Sequence, residues 1–257
     1  MREHIMHNKI VLVTGGSRGL GRSMALHLAK GGMDLILTYH RQQAEAEAVA
    51  EQARALGVRV EVLQLDVGDS SGFAAFAQTV QQTLQQGWQR TQLDALINNA
   101  GTGLHAAFAD TSEAQFDEVY RIHLKAPYFL TQALLPLLTD GSRILNISSG
   151  LARFSLPGSS AYAMMKGGIE VMSRYLAKEL GPRGISVNTL APGAIETDFS
   201  GGLVRDNPEI NRFVASQTAL GRVGLPDDIG ALVALLLADG GHWITGQRIE
   251  ASGGMFL

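Results

Sequence analysis

A tyrosine and a lysine four residues apart form the part of this 257-residue sequence best suited to chemistry. In Tyr162-Ala-Met-Met-Lys166 both side chains fall on one face of a predicted helix, because residues four apart are neighbours on a helix surface. A free phenol has a pKa of about 10, so it exchanges protons near neutrality only with help. A nearby ammonium group gives that help by stabilising the phenolate. The same spacing also arises by chance, so the neighbouring residues have to be considered.

Ser149 lies thirteen residues before Tyr162 and two residues after the end of a predicted strand at Ile147. Open α/β sheets bind their ligands at the carboxyl ends of their strands. This placement therefore predicts that Ser149 and Tyr162 lie at one ligand-binding edge. The alternative is a serine that only caps a helix or a turn.

A glycine-rich stretch, TGGSRGLG at Thr14–Gly21, follows the first predicted strand and begins the first predicted helix. Gly15, Gly19 and Gly21 allow a tight turn that a ligand can approach closely, and the free N–H groups at the helix start suit a pyrophosphate. Their spacing, G-x-x-x-G-x-G, is looser than the G-x-G-x-x-G pattern of dinucleotide sites. A strand–helix turn without a ligand is the alternative.

The end of the second predicted strand carries Tyr39, His40 and Arg41, with no acidic residue. An NAD site places Asp or Glu there to accept hydrogen bonds from the ribose 2′-hydroxyl. Arg41, with Arg18 in the glycine turn, instead offers positive charge to a 2′-phosphate. The sequence therefore favours NADPH/NADP⁺ over NADH; the alternative is two solvated surface arginines.

His123 lies on a helical stripe of apolar residues, within VYRIHLKAPY at 119–128. Apolar residues at spacings of three and four mark the face of a helix that packs on a core. A single polar ring on such a face is usually a packed histidine with a satisfied hydrogen bond. The other interpretation is that His123 belongs to the reaction site.

Short apolar runs alternate with helical patterns along the whole chain. This alternation predicts an α/β fold in one domain spanning 1–257: a Rossmann-type doubly wound parallel sheet of about seven strands with helices on both faces. Strands are expected at 10–13, 35–39, 58–65, 93–98, 143–147, 185–190 and 248–251, and helices at 20–30, 42–56, 71–86, 113–138, 161–180 and 227–238. The least regular stretch, about 193–223, is interpreted as a substrate lid.

Composition excludes several classes of protein. The chain has 46% hydrophobic residues, 18% charged residues and a net charge of −3, so it can bury a core and shows no basic excess for nucleic acid. Without cysteine it has neither disulfides nor a thiolate metal site, and the scattered histidines, including His4 and His7 in a polar tail, predict no metal. With no secretory signal and no long apolar run, we expect a soluble cytoplasmic protein outside the membrane.

Six motifs occur together in one order: TGGSRGLG, Asp66 after the third strand, Asn98-Asn99-Ala100-Gly101, Ser149, Tyr162-x-x-x-Lys166 and Pro192-Gly193. In this order and spacing the chain resembles the short-chain dehydrogenase/reductases over essentially 9–254. The stretch 150–197 is similar to the bacterial 3-oxoacyl-carrier-protein-reductase branch.

The resemblance implies a role for each matching residue. Ser149 and Tyr162 would hydrogen-bond the substrate oxygen, and Lys166 would hold the nicotinamide ribose and lower the pKa of Tyr162. Two donors aimed at an oxygen that becomes negative fit that chemistry. The implied cofactor-binding residues are Gly15, Ser17, Arg18, Gly19, Leu20, Gly21, Arg41, Asp66, Val67, Asn99, Ala100, Gly101, Tyr162, Lys166, Pro192, Gly193, Ile195 and Thr197.

His123 is the one departure from the family pattern. Most relatives have asparagine there, which helps to hold a water linking the lysine to solvent. The resemblance thus makes His123 a fourth candidate catalytic residue beside Ser149, Tyr162 and Lys166. Imidazole can also orient a water, but it is bulkier and is expected to titrate near neutrality.

The expected function is hydride transfer between NADPH and a small-molecule carbonyl or secondary alcohol, with 3-oxoacyl and carrier-linked substrates included. The alternatives are an NADP(H)-binding regulator with little turnover and a purely structural assembly protein. The resemblance also implies a homo-oligomer, specifically a tetramer, formed through the helices at 113–138 and 161–180. For the second helix the expected contacts are Ile169, Met172 and Leu176, unless these face only the sheet.

Two sets of residues bear on the substrate. The apolar residues expected at the cleft mouth, which would suit an apolar ketone or acyl chain, are Leu151, Phe154, Leu156, Phe199, Leu203, Val204 and Phe213. Arg153, Arg174 and Arg183 are candidates for a basic rim that an acyl-carrier partner would need, and Asp140 argues against such a rim.

Overall fold

Seven parallel strands form one sheet in the computed structural model, which describes residues 9–257. His4 and His7 lie outside the described residues. The strands are β1 Ile10–Val13, β2 Asp34–Tyr39, β3 Val60–Gln64, β4 Leu93–Asn98, β5 Leu138–Ile147, β6 Ser186–Pro192 and β7 Arg248–Ala251. Their order across the sheet is β3-β2-β1-β4-β5-β6-β7. The chain reverses its winding direction between β1 and β4, which is where such sheets bind ligands.

Helices cover both faces of the sheet, which confirms the predicted doubly wound architecture. Their bounds are α1 Gly19–Lys30, α2 Gln43–Arg54, α3 Phe73–Trp88, α4 Glu113–Tyr120, α5 Ala126–Leu134, α6 Ser160–Leu180, α7 Leu203–Asp206, α8 Pro208–Ser216 and α9 Pro226–Leu237. Helices α1, α2 and α9 share one buried apolar cluster with the strands, and α3, α5 and α6 share the other. Side chains alternate between these clusters along β1, as the strand period of two requires.

The helix expected at 113–138 is interrupted. Helix α4 ends at Tyr120, a π-helical turn spans Arg121–Lys125, and α5 then runs to Leu134. Pro127 has no N–H to donate to the carbonyl of His123 four residues earlier, and this missing bond explains why the α-helical pattern fails here. Leu138 belongs to β5 rather than to the helix.

The stretch at 193–223 is not an open loop. It contains a 3₁₀ turn at Phe199–Gly202 followed by the helices α7 and α8. Ser200, Gly201 and Gly202 all have positive φ, so the chain turns sharply directly after Phe199. No helix within 9–257 is long and apolar enough to cross a membrane.

Candidate active site

The glycine turn between β1 and α1 is packed so closely that side chains are excluded from it. Gly15 has a φ of +67°, and a Cβ there would lie 3.0 Å from the Cα of Ala100. A Cβ on Gly21 would collide with the carbonyl oxygen of Gly15. The glycines are therefore required by the close approach of two strand ends.

Thr14 fastens the end of β1 to the end of β4. Its Oγ1 accepts hydrogen bonds from the backbone N–H groups of Asn99 and Ala100 at 2.9 and 3.0 Å. The side-chain amide of Asn99 in turn donates to the Thr14 and Gly15 carbonyls, at 2.9 and 3.2 Å. Sequence reasoning did not single out Thr14, although a polar residue ending an apolar strand was the available signal.

The first turn of α1 has no side-chain cap. Arg18 is its N-cap residue and makes no capping hydrogen bond, so the side chains leave the N–H groups of the first turn open to an anion. Thr197 approaches the same turn: its Cβ would lie 3.6 Å from a Cβ on Gly19. A tight glycine cradle with uncapped helical N–H groups fits the pyrophosphate of a dinucleotide.

Basic side chains surround the end of β2. Arg18, His40 and Arg41 are all exposed, and His40 Nε2 lies 3.3 Å from a carboxylate oxygen of Asp66. Asp66 also accepts a hydrogen bond from the Gly68 N–H at 2.8 Å. The structure thus connects His40, at the end of β2, to Asp66, the expected adenine contact.

Tyr162 and Lys166 are buried side by side in the first two turns of α6. Tyr162 is 8% exposed and Lys166 is 5% exposed. The ammonium of Lys166 donates to the carbonyl of Ile147 at 2.7 Å and lies 5.5 Å from the centre of the Tyr162 ring. Ser149, two residues beyond the end of β5, is close enough to Tyr162 for a side-chain hydrogen bond from it to lower the pKa of the phenol. The structure therefore brings all three residues together.

Burial moves the two pKa values in opposite directions. It raises the pKa of Tyr162 far above its usual 10, an effect that the Ser149 hydrogen bond partly offsets. Burial lowers the pKa of Lys166 to about 7. A desolvated phenol that holds its proton at neutral pH is suited to donate that proton, and its neighbour is the group that titrates near neutrality.

His123 lies in the π-helical turn, and its ring packs against Tyr162. It is 1% exposed, and its ring stands edge-on to Tyr162 with 5.0 Å between the ring centres. Its Nε2 lies 2.7 Å from the Thr102 carbonyl and 3.2 Å from the Thr102 N–H. The shorter contact assigns the proton to Nε2, so Nδ1 is a buried acceptor without a hydrogen-bond partner within the described chain.

The expectation that His123 titrates near neutrality is wrong. Burial, with the nearby positive charge of Lys166, lowers its pKa to about 3. Its burial, neutrality and backbone hydrogen bond are those of a packed histidine, while its position beside Tyr162 is that of a site residue. Gly101 makes this packing fit, because a Cβ there would come within 2.7 Å of the imidazole ring.

The segment that follows β6 packs against the end of β7 and carries the predicted cofactor residues Gly193, Ile195 and Thr197. Gly193 donates its N–H to the Ala251 carbonyl at 3.0 Å, and a Cβ on Gly193 would lie 2.8 Å from the Cα of Ser252. Thr197 is buried and accepts a hydrogen bond from the Phe199 N–H. Pro192 ends β6, and Ile195 pairs with Gly224.

Not every predicted cofactor residue presents its side chain to the cleft. The side chain of Leu20 packs on one sheet core and that of Val67 on the other, so only their backbones can face a ligand. Ser17 is half-buried in the glycine turn, between Gly16 and Arg18.

A series of buried polar side chains, linked by hydrogen bonds, connects the elements that carry the site. Asn98 donates to Asn146 at 2.7 Å and to Thr131 at 3.0 Å, and Asn146 donates to Ser173 at 2.8 Å. These bonds join β4, β5, α5 and α6 beneath the catalytic residues. Sequence reasoning missed Asn146, whose signal was an amide inside the otherwise apolar strand RILNI.

The predicted cleft mouth divides into two groups. Phe199 lies 6.0 Å from the Tyr162 ring, and Leu203 and Phe213 are about half exposed. Phe154 and Val204 instead pack in a small cluster with the C-terminal segment, where the ring centre of Phe154 is 4.9 Å from that of Phe256.

Two of the three candidate rim arginines are already neutralised. Arg183 pairs with Asp140 at 2.8 Å and donates to the Leu138 carbonyl, where β5 begins, at the opposite sheet edge from Ser149. Arg153 makes a bidentate pair with Glu250 at 2.6 and 2.7 Å. These contacts argue against a basic rim. Within 9–257 no group of three acidic or histidine side chains could hold a metal ion.

Comparison with known proteins agrees with this geometry. The family model described as enoyl-(acyl carrier protein) reductase matches residues 15–256. A 3-oxoacyl-(acyl-carrier-protein) reductase of Staphylococcus aureus is 35% identical over 97% of this chain and 98% of its own. Among solved structures, the promiscuous reductase LugOII, which catalyses keto-reduction at C1 during lugdunomycin biosynthesis, is 38% identical with a TM-score of 0.91, over 97% of this chain and 98% of its own. The angucycline C-6 ketoreductase LanV, solved with bound NADP, is 33% identical with a TM-score of 0.91, over 96% and 95% of the two chains.

Proposed function

Since the chain belongs to the short-chain dehydrogenase/reductase family, we propose that it reduces an apolar ketone to a secondary alcohol at Ser149, Tyr162 and Lys166. It is an NADP(H)-dependent oxidoreductase acting on C=O and CH–OH groups. The observation that carries the proposal is a buried Tyr162 that keeps its proton beside Lys166 and a hydrogen-bonding Ser149.

The chain's own residues stabilise and protonate the oxygen of the substrate. When bound, NADPH supplies the hydride. Ser149 and Tyr162 donate hydrogen bonds to the carbonyl oxygen, which becomes negative as the reaction proceeds. Tyr162 then releases its proton to that oxygen, and the Lys166 ammonium stabilises the phenolate left behind. The reverse steps would oxidise an alcohol.

Lys166 should determine the alkaline limb of the pH profile. Because burial lowers its pKa to about 7, its cation is present below that pH and is lost above it. We expect kcat/KM for ketone reduction to fall as the pH rises through about 7. Lys166→Arg, whose guanidinium stays protonated, should move that fall to higher pH even if its kcat is lower. An unchanged profile in Lys166→Arg would assign the titration to another group.

We propose that His123 acts as a neutral positioning residue. Its Nε2 holds the peptide of Thr102 at the site, and its free Nδ1 can accept a hydrogen bond from a water next to Tyr162. His123→Leu should lower kcat about tenfold, less than the loss of a direct acid–base group. His123→Asn should keep much of the activity, and NADPH binding should survive in both variants.

The pH profile gives the matched test of His123. Because its pKa lies at about 3, neither substitution should remove an inflection between pH 6 and 8. If His123→Leu kept full kcat and lost only thermal stability, the residue would be a packing histidine.

The substrate we propose is a free ketone with an apolar body. Phe199 offers it an apolar surface beside Tyr162, and Leu203 and Phe213 are exposed in the same stretch, 193–223, which we propose is the lid over the substrate. The keto-reduction named for LugOII and LanV supports this class. Carrier-linked 3-oxoacyl substrates are less favoured because Arg153 and Arg183 are paired.

A panel of ketones tests the function directly. The purified protein should oxidise NADPH when apolar cyclic or aromatic ketones are supplied, and should do so more slowly with a carrier-linked 3-oxoacyl substrate. The regulator alternative predicts NADPH-dependent thermal stabilisation without turnover of any ketone. The structural alternative predicts neither effect.

We propose that the protein is a homotetramer that works in the cytoplasm. Ile169 and Met172, expected at the subunit contact, are buried in their own subunit, and Leu176 is partly buried against a core cluster of the sheet. The exposed apolar residues of α6 are instead Met164, Val171 and Tyr175. These support pairing of this helix face between subunits.

Sedimentation at micromolar concentration checks the assembly. The wild-type protein should sediment as a tetramer, and a Val171→Glu/Tyr175→Glu variant should give smaller species because charges would be buried at the contact. Leu56→Glu is the control, since Leu56, two residues beyond the end of α2, is as exposed as Val171. A wild-type monomer would refute the proposal.

A further inference from the structure

Four charged side chains form a chain of ion pairs beside the catalytic serine. Glu170 on α6 pairs with Arg248 on β7 at 2.7 Å, and Arg248 pairs with Glu250 at 2.7 Å. Glu250 then receives two hydrogen bonds from Arg153. The Arg153 pair holds the pKa of Glu250 at about 2, so Glu250 stays charged throughout the neutral range.

One end of this ion-pair chain holds the backbone of the serine loop. Ser148 donates its hydroxyl to Glu170 at 2.7 Å, and Arg248 donates to the carbonyl of Ser149 at 3.4 Å. Arg153 lies in the same loop, one turn after Ser149. The ion pairs therefore connect to the peptide that carries the catalytic hydroxyl.

The other end holds the C-terminal segment 252–256. Arg153 donates to the carbonyls of Met255 and Phe256, at 2.7 and 3.3 Å. Ser252 donates to Glu250 at 2.7 Å and receives the Met255 N–H at 3.3 Å. The hydrogen bonds that the Arg153 guanidinium donates within 9–257 thus go to β7 or to the segment that follows it.

The C-terminal segment in turn holds the end of the lid. Backbone bonds run from Ala219 to Gly254, from Leu220 to Gly253 and from Phe256 to Gln217, at 2.9 to 3.2 Å. The side chain of Met255 is 2% exposed and packs with Val214 of α8 and with Val223. Residues 252–256 thus bridge the serine loop and the lid.

We propose that Arg153 and Glu250 are positioning residues for ketone binding, because their pair fixes the lid helix α8 relative to Ser149 through the C-terminal segment. This inference rests on the proposed reduction of ketones at Ser149 and Tyr162. Neither residue touches the reacting atoms, so their loss should misplace the apolar lid more than the proton donor. Displacement of a binding surface by about 1 Å is enough to weaken a reaction strongly.

Kinetics of Arg153→Met and Glu250→Gln test the inference. We expect KM for an apolar ketone to rise about tenfold in each variant, with kcat changed by less than about twofold and the Kd of NADPH unchanged. The double variant should be no worse than Arg153→Met alone, since Arg153→Met already removes the pair with Glu250. Arg90→Met is the control: it breaks a bidentate pair with Asp94 of similar exposure at the opposite sheet edge, and should leave KM unchanged.

Hydrogen exchange provides a readout that does not need the substrate. Amides of 208–220 should exchange faster in Arg153→Met than in the wild type and in Arg90→Met. Unchanged KM and unchanged exchange in Arg153→Met would overturn the inference, and so would KM effects that add in the double variant. A wild-type protein that reduces no ketone would instead count against the proposed function, while faster exchange would still support the coupling of Arg153 to the lid.

Discussion

Tyr162→Phe is expected to lower kcat for ketone reduction to less than a few per cent of the wild-type value. The substitution removes only the hydroxyl, which is the proton donor, and a positioned acid typically contributes about 10²–10⁴-fold. The buried ring remains, so its edge contact with His123 and its contact with Phe199 should persist. Single-turnover measurements with NADPH and the best ketone of the panel would give the rate of the chemical step.

Binding and folding serve as the controls for this variant. The Kd of NADPH and the unfolding temperature should stay close to the wild-type values, because no charge is lost. Tyr175→Phe makes the same chemical change on the exposed side of the same helix and should keep full activity. Retention of more than a few per cent of kcat in Tyr162→Phe would remove Tyr162 from the role of acid.

NADPH is expected to exceed NADH in kcat/KM by at least about a hundredfold, with Arg41 and Arg18 each responsible for about tenfold. A lost hydrogen bond to a charged group costs enough free energy for a tenfold effect, and none of the residues that end β2 (Tyr39, His40 and Arg41) is an acid that would select the ribose 2′-hydroxyl of NADH. The exposure of both side chains means that salt should weaken the preference. Arg41→Ala should therefore raise KM for NADPH and leave that for NADH nearly unchanged.

Arg22→Ala is the matched control for the cofactor prediction. Arg22 is also exposed on α1, but its guanidinium donates to Gln52 at 3.0 Å rather than standing at the end of β2. It should leave the ratio of the two kcat/KM values unchanged. Equal kcat/KM values for the two cofactors, or an Arg41→Ala variant with the wild-type ratio, would contradict the prediction.

Local features of the sequence were sufficient for the sheet, the glycine turn and the pairing of Tyr162 with Lys166. Each of these depends on a short-range cause: an apolar run of four to six residues, glycines at a tight turn, or a spacing of four on a helix. The signal at Pro127 was also local. A proline four residues after His123 removes one helical hydrogen bond. Because Pro127 also continues the apolar stripe, the stripe predicts an uninterrupted helix at this point.

The sequence alone determined which residues of this protein could take part in chemistry. The tertiary structure decided the protonation state of each side chain and the partner towards which it points. Burial beside Lys166 makes His123 a neutral group, because the penalty for charge depends on everything packed around the ring. Residues distant in the chain turn Arg153 towards Glu250 and Arg183 towards Asp140, which removes both from the rim expected for a carrier. Ile169 and Met172 are buried while Val171 and Tyr175 are exposed, because the packing of helix α6 on the rest of the chain selects the face that is covered. Spacing shows which side chains share a face, but only long-range packing selects the face that is buried.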